Sequence, residues 1–154
     1  MSVLTDDGAA LPAGPPAIEK TTIQVRFMPI LCAVPLLYAH ARGLFAQRGL
    51  QVDLRSTPGW SGIKELLTHG KIDAAHLLSP MPLACAAGID GRPSPLRLCL
   101  IQNVNGQALT MATRHRGSEN RSVLRGGLTF GVPYLYSMQY YLLCHYLAEQ
   151  GIDP

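Results

Sequence analysis

Residues 23–77 read IQVRFMPILCAVPLLYAHARGLFAQRGLQVDLRSTPGWSGIKELLTHGKIDAAHL, and they decide the fold. Short apolar runs alternate with segments whose apolar residues recur at helical intervals. Residues 23–28 put Ile23, Val25 and Phe27 on one face, the period of two of a pleated strand. Residues 35–48 follow as a helix. Pro35 suits its first turn, Leu36, Leu37, His40, Leu44 and Phe45 repeat at helical spacing, and Gly49 supplies the stop. Residues 52–55 make a second strand, 60–69 a second helix ended by Gly70, and 72–77 a buried strand. This strand–helix–strand repetition predicts an α/β protein with a largely parallel sheet and right-handed crossovers.

Working outward, residues 80–87 read as a third helix ended by Gly88. Residues 96–101 and 107–112 are expected strands around a turn at 103–106. Residues 90–95 and 114–127 are polar connections, 128–132 another strand, and 136–150 a last helix closed by Gly151. Residues 1–20 are rich in Ala, Gly and Pro and read as a flexible N-terminal segment. They lack the early basic residues and apolar run of a secretory signal. The last strand and helix have nothing after them to pack against, so the expectation is that the second half of a two-lobed protein is missing.

Composition removes several classes. Of 154 residues, 47% are hydrophobic but only 15% charged, against a usual share of about 25%. A net charge of +3 with no Lys/Arg block gives no nucleic-acid stripe. The longest apolar stretch, residues 29–41, is interrupted by Pro35 and falls short of the ~20 residues of a membrane span. Cys32, Cys85, Cys99 and Cys144 lie far apart without paired metal-ligand spacing. They read as reduced core thiols, with a single unassigned disulfide as the alternative. No metal or cofactor is expected. His40, His69, His115 and His145 form no ligand pattern, and His76, inside a buried strand, reads as core. P-loop, GxGxxG, GxSxG and HExxH motifs are all absent from the sequence.

In an open α/β sheet, ligands collect beyond the carboxyl ends of the strands, where helices begin. Three junctions fit. Residues 57–62, TPGWSG, enter the second helix; two glycines allow close backbone approach and free N–H groups can hold an anion. Trp60, the only tryptophan, walls that site or donates its N–H. Residues 103–107, NVNGQ, offer carboxamides that both donate and accept. Residues 134–139, YLYSMQ, open the last helix with Ser137 able to cap and Gln139 able to reach forward. Each also has a plain structural reading: a capped helix with a packed Trp, an Asn-Gly turn, and a helix cap.

These segments carry a resemblance. Leu44-Phe45-Ala46-Gln47-Arg48-Gly49-Leu50-Gln51-Val52, then Gly59-Trp60, then Lys71-Ile72-Asp73-Ala74-Ala75-His76 with Ser79-Pro80-Met81-Pro82-Leu83-Ala84, then Asn105-Gly106-Gln107-Ala108-Leu109-Thr110, resemble the nitrate/bicarbonate-binding subunits of ABC importers. Those subunits have the type II periplasmic-binding-protein fold. The similarity covers about residues 23–154. The H-x-x-x-P-M-P-L and N-G-Q-A segments are the ones specific to the oxyanion branch. The rest marks a superfamily that includes sulfonate binders and thiamine-pyrimidine enzymes.

The resemblance implies a first α/β lobe over 21–113, a crossover linker over 114–127, and the first strand and helix of an incomplete second lobe over 128–154. It implies a small oxyanion held in an interlobe cleft by Trp60 and Gln107, the backbone near Ser61 and Gly62, and Ser137 to Gln139. The implied partner is an ABC transporter permease and the implied location periplasmic, although no signal peptide is visible. A cytoplasmic nitrate-sensing regulator of the same fold is the alternative. A sulfonate binder or a thiamine-pyrimidine synthase-like enzyme stands further off, since the scattered cysteines do not match the enzymes' cysteine-rich loop. Two departures bear on the ligand. Nitrate binders carry a histidine where Gln139 stands, and the family's charged second-lobe residue would lie beyond Pro154. Within this reading, in a full-length version of the protein, Trp60→Ala and Gln107→Ala are each expected to weaken anion binding at least tenfold without unfolding it.

Overall fold

The computed structural model describes residues 18–89, 91–94, 96–104, 106–115, 124 and 127–154. The expected N-terminal segment lies outside them except for its last three residues, and the expected 114–127 linker lies largely outside them. A three-stranded parallel sheet in the order β2-β1-β3 organises the chain. Strand β1 is Thr22–Phe27, β2 is Gln51–Ser56 and β3 is Ala74–Ala75. β1 runs in register with β2 from Thr22↔Gln51 to Phe27↔Ser56, and with β3 at Val25↔Ala74 and Arg26↔Ala75.

β1 is central for a chemical reason. Val25 and Phe27, one residue apart on the same face, are both buried, and Ile23 is half-buried. The parallel pairing matches the expectation from strand–helix alternation. β3 is far shorter than the expected 72–77. Its hydrogen bonding to β1 extends by one residue each way, however, from Asp73 N to Gln24 O (3.0 Å) and from His76 N to Arg26 O (2.9 Å). Asp73 locks the entry to β3: its Oδ2 accepts from Gln24 N at 2.9 Å and its other oxygen pairs with Lys20. Those two partners, the amide first, hold its carboxyl below the usual 3.8.

Four α-helices are described: α1 Val34–Ala41, α2 Trp60–Thr68, α3 Pro80–Ala87 and α4 Met138–Glu149. The expected helix over 35–48 is corrected to two pieces. α1 ends at Ala41, the chain turns at Gly43 with φ +65°, and a separate 3-10 turn spans Ala46–Arg48. A left-handed residue cannot continue a right-handed helix, and glycine adopts it without penalty. The apolar spacing that suggested one helix covers no buried face either, because α1 has no buried residue.

The core is centred on Trp60, Ile63 and Met81, from α2 and α3, with Met28, Ala75, Leu77, Leu78, Tyr134 and Tyr136 packed against it. Ile63 and Met81 are 0% and 1% exposed. The strands expected at 96–101, 107–112 and 128–132 do not form. A strand is stable only with a neighbour to pair with, and no described strand runs beside these segments. Leu98, Leu100 and Ile101 are accordingly exposed.

The cysteines are also corrected. All four remain thiols, but only Cys85 is buried; Cys144 is half-buried, and Cys32 and Cys99 are exposed. Among the described residues no helix is long and apolar enough to cross a membrane, and no group of His, Cys, Asp or Glu has metal-binding geometry.

Candidate anion site

α2 begins directly after β2. Thr57 N donates to Phe27 O at 3.0 Å, closing the end of the β1–β2 pair. Pro58 and Gly59 then turn the chain, with Gly59 at φ +81°, ψ 134° in the N-cap position. That conformation needs glycine, and glycine has no side chain to cap the helix. The N-cap residue itself therefore makes no side-chain cap bond. The first N–H groups of α2, at Trp60, Ser61 and Gly62, have no acceptor within the helix and stand at the positive end of its dipole.

Trp60 is only 5% exposed, so it is a core residue as well as the first residue of α2. Its indole meets the His76 ring in a T-shaped contact, centroids 5.6 Å apart at 64°. His76 directly follows β3. Its Nδ1 is buried and has no hydrogen-bond partner among the described residues. Burial pulls its pKa below the ordinary 6.5, which keeps the ring neutral at pH 7. The sequence suggests simple core packing for this histidine. The structure instead gives it an unsatisfied nitrogen beside the site's aromatic wall. A polar residue at the carboxyl end of a strand was the signal available for it.

The chain entering α4 returns to the same place. Tyr134 and Tyr136 pack against the Trp60 cluster and against each other, edge to face at 5.7 Å. Ser137 follows, fully buried, and its Oγ accepts from Tyr140 N at 3.1 Å as the N-cap of α4. Its hydroxyl is thereby committed to the helix. Gln139, in the first turn of α4, lines a cleft of about 850 Å³. Gln107, Thr113, His115 and Tyr146 line the same cleft. The Oε1 of Gln139 is buried and unpartnered among the described residues.

The structure thus brings Gln107 and Gln139 to one cleft, and Trp60 next to the approach to Ser137. Trp60, Ser61, Gly62 and Ser137 do not line the cleft itself. Asn103, part of the carboxamide-rich junction, points elsewhere: its Nδ2 and the Nε2 of Gln102 both donate to Cys32 O, at 2.9 and 3.2 Å.

The described residues thus give a parallel α/β layer, a glycine-started helix beyond its strands, and two carboxamides on a separate cleft. Residues 16–154 match the NMT1-like family, and the chain belongs to that family. The crystal structure of the periplasmic nitrate-binding protein NrtA from Synechocystis superposes on it with a TM-score of 0.77 at 25% identity. That match covers 88% of this chain and 40% of the other, and the fold is the type II periplasmic-binding-protein fold.

In sequence, the chain is 32% identical over 149 residues to the nitrate import ATP-binding protein NrtC of a Synechocystis species, covering 89% of this chain and 22% of that one. It is 26% identical over 162 residues to the bicarbonate-binding protein CmpA of Synechococcus elongatus, covering 92% of this chain and 36% of the relative. The chain therefore spans between about a fifth and two fifths of the length of these relatives.

Proposed function

We propose that this chain is the anion-receiving part of a substrate-binding protein that serves an ABC importer for a small oxyanion: nitrate, nitrite or bicarbonate. It binds rather than catalyses, acts in the periplasm and hands its ligand to the importer's permease. The domain division at 21–113, 114–127 and 128–154 belongs to the same proposal. The observation that carries the reading is the pair of carboxamides, Gln107 and Gln139, on one cleft, with the Gln139 oxygen without a partner among the described residues.

Nitrate offers only acceptors, so its partners are donors: the Nε2 of Gln107 on the cleft, with the amides of Ser61 and Gly62 and the Trp60 N–H, which stand outside the cleft lining, as the donors that the family resemblance adds. Bicarbonate adds one O–H donor, and the unpartnered Gln139 Oε1 is an acceptor for it. Gln139 thereby favours a ligand that both accepts and donates. Ser137 caps α4 and is not counted among the ligand's partners.

A hydrogen bond to a charged group is worth about 1.5–3 kcal/mol. At about 1.4 kcal/mol per tenfold, Gln107→Ala is expected to weaken binding at least tenfold. The test is a titration of Trp60 fluorescence with nitrate, nitrite and bicarbonate at constant ionic strength, beside calorimetry. A saturable response to one of them, weakened in Gln107→Ala and Gln139→Ala, supports the reading. A flat response to all three from a folded chain overturns it.

A second reading is an anion-sensing regulator on the cytoplasmic side. The similarity to a nitrate import ATP-binding protein raises it, because this sequence holds no P-loop and so does not itself supply nucleotide binding. Co-purification with the importer's ATP-binding subunit, rather than with its permease, would select this reading.

A further inference from the structure

The two carboxamides that mark the cleft are neutral. Among the described residues, the cleft is lined by no Lys, Arg, Asp or Glu, and Leu109, Met111, Val132, Leu142 and Leu143 make its walls largely apolar. An anion that leaves water for such a surface loses hydration that two amides do not replace, and a nearby positive charge offsets the loss. Two ionisable groups line the cleft, the phenol of Tyr146 and the imidazole of His115. A phenol is neutral or negative, so His115 is the group there able to carry a positive charge.

His115 is also free to act on a ligand. Its backbone is fixed, because its amide donates to Ala112 O at 2.9 Å in the 3-10 turn Thr113–His115. The ring is half-buried, and neither of its nitrogens has a partner among the described residues. The other histidines are engaged or placed elsewhere. His69 Nδ1 lies 2.8 Å from Glu65 O, and His145 Nε2 lies 3.4 Å from Glu149 Oε1. His76 packs on Trp60, His40 stands exposed on α1, and neither lines the cleft.

We propose that His115 is an anion-binding residue of this cleft: a ring N–H donates to the ligand held by Gln107 and Gln139, and the imidazolium form supplies the positive charge that the carboxamides lack. This rests on the anion-receptor reading. Histidine is the side chain that changes charge between about pH 5 and 8. The protonated ring attracts an anion more strongly than the neutral one, so ligand and proton each tighten the binding of the other. Affinity for the anion therefore rises as pH falls through that range.

Few other groups compete for this role. Around His115, residues 107–113 and 131–133 bring no ionisable side chain, and α4 places Tyr146 on the cleft. Tyr140, Tyr141, Cys144 and the His145–Glu149 pair of α4 lie outside the lining, as does Arg114.

Nitrate keeps its charge at every pH used, so it is the probe. It is titrated into the full chain by calorimetry at about pH 5.5 and about pH 8, at constant ionic strength. The wild type should bind about fivefold or more tightly at the lower pH. His115→Ala should weaken binding about tenfold or more at the lower pH and remove the pH dependence. His115→Gln keeps an amide donor without the charge, so it should fall between the two and be equally indifferent to pH. His115→Lys is charged at both pH values and should bind equally well at each. Arg114→Gln, next in sequence and off the cleft, should stay within about twofold of the wild type.

Nitrate affinity that does not vary with pH in the wild type, or that is unchanged in His115→Ala while Gln107→Ala weakens it, overturns the proposal and leaves the receptor reading standing. A loss in Arg114→Gln as large as that in His115→Ala makes the effect one of net charge and also overturns it. A folded wild type that gives no response to nitrate overturns the proposal, and one equally silent to nitrite and bicarbonate overturns the receptor reading as well.

Discussion

Replacing Ser137 with alanine separates a capping role from a ligand role at the start of α4. The Ser137 hydroxyl accepts the Tyr140 N–H at 3.1 Å, and Ser137 is 0% exposed. Removing it deletes the N-cap of a 12-residue helix, which ordinarily costs about 1 kcal/mol, with about 2 at the upper end. Water cannot easily replace the lost oxygen at a buried position, so the expected cost lies in the upper half, about 1–2 kcal/mol. For a chain of this size, a melting temperature falls about 2–4 °C per kcal/mol, giving a drop of about 2–8 °C.

Urea denaturation followed by far-ultraviolet circular dichroism measures the change, with the exposed Ser56→Ala as a control expected to stay within about 0.5 kcal/mol. Anion affinity, measured on the same preparation well below the melting point, should change less than about twofold, because the hydroxyl is turned into the helix. Two results would refute this reasoning. One is a Ser137→Ala stability within about 0.3 kcal/mol of wild type. The other is a tenfold loss of anion affinity at unchanged stability, which would make Ser137 a ligand.

Ile63→Ala, at the fully buried centre of the core, should cost about 2–5 kcal/mol in urea unfolding. Trp60→Ala should likewise destabilise by about 3–5 kcal/mol because the indole is a core residue. Gly88→Ala places a Cβ 2.8 Å from the Pro93 ring at φ +66° and should lower stability by about 1–3 kcal/mol, read from the urea midpoint. Asp73 has its pKa lowered in the folded state, so its contribution is present above 3.8 and is lost as pH falls through the lower folded value. Acid unfolding of Asp73→Asn should show that component removed, and Lys20→Ala should have the smaller effect, since the Gln24 amide is the stronger of the two influences.

The expectation that Trp60→Ala leaves folding intact illustrates how far the sequence could be read. That Trp60 opens α2 was legible from T-P-G-W-S-G, because Pro, Gly and the apolar spacing after them are local signals. That the same indole is packed on Ile63 and Met81 depends on α3, twenty residues away, and no local pattern carries that. β1, β2, α2, α3 and α4 were legible for the same local reasons. The segments at 96–101, 107–112 and 128–132 carry strand-like alternation, but pairing is a property of two segments. Their apolar residues, such as Leu98 and Ile101, stay exposed. The site divides along the same line. Gln107 and Gln139 were nominated from separate junctions, and only the fold puts them on one cleft. A histidine in an apolar run looks like core, and the lack of a partner for the His76 Nδ1 among the described residues is visible only in three dimensions.

The Cys32 carbonyl takes two donors, Gln102 and Asn103, from 70 and 71 residues further along the chain. Tyr134 and Tyr136 likewise clasp a cluster built from α2 and α3. Both ties cross the exposed Arg97, so a tryptic nick after it would cut the backbone without dividing the particle. The fragments 1–97 and 98–154 should co-elute in native buffer and part only in denaturant. Produced as two separate polypeptides, they should find each other and regain the emission of the buried indole.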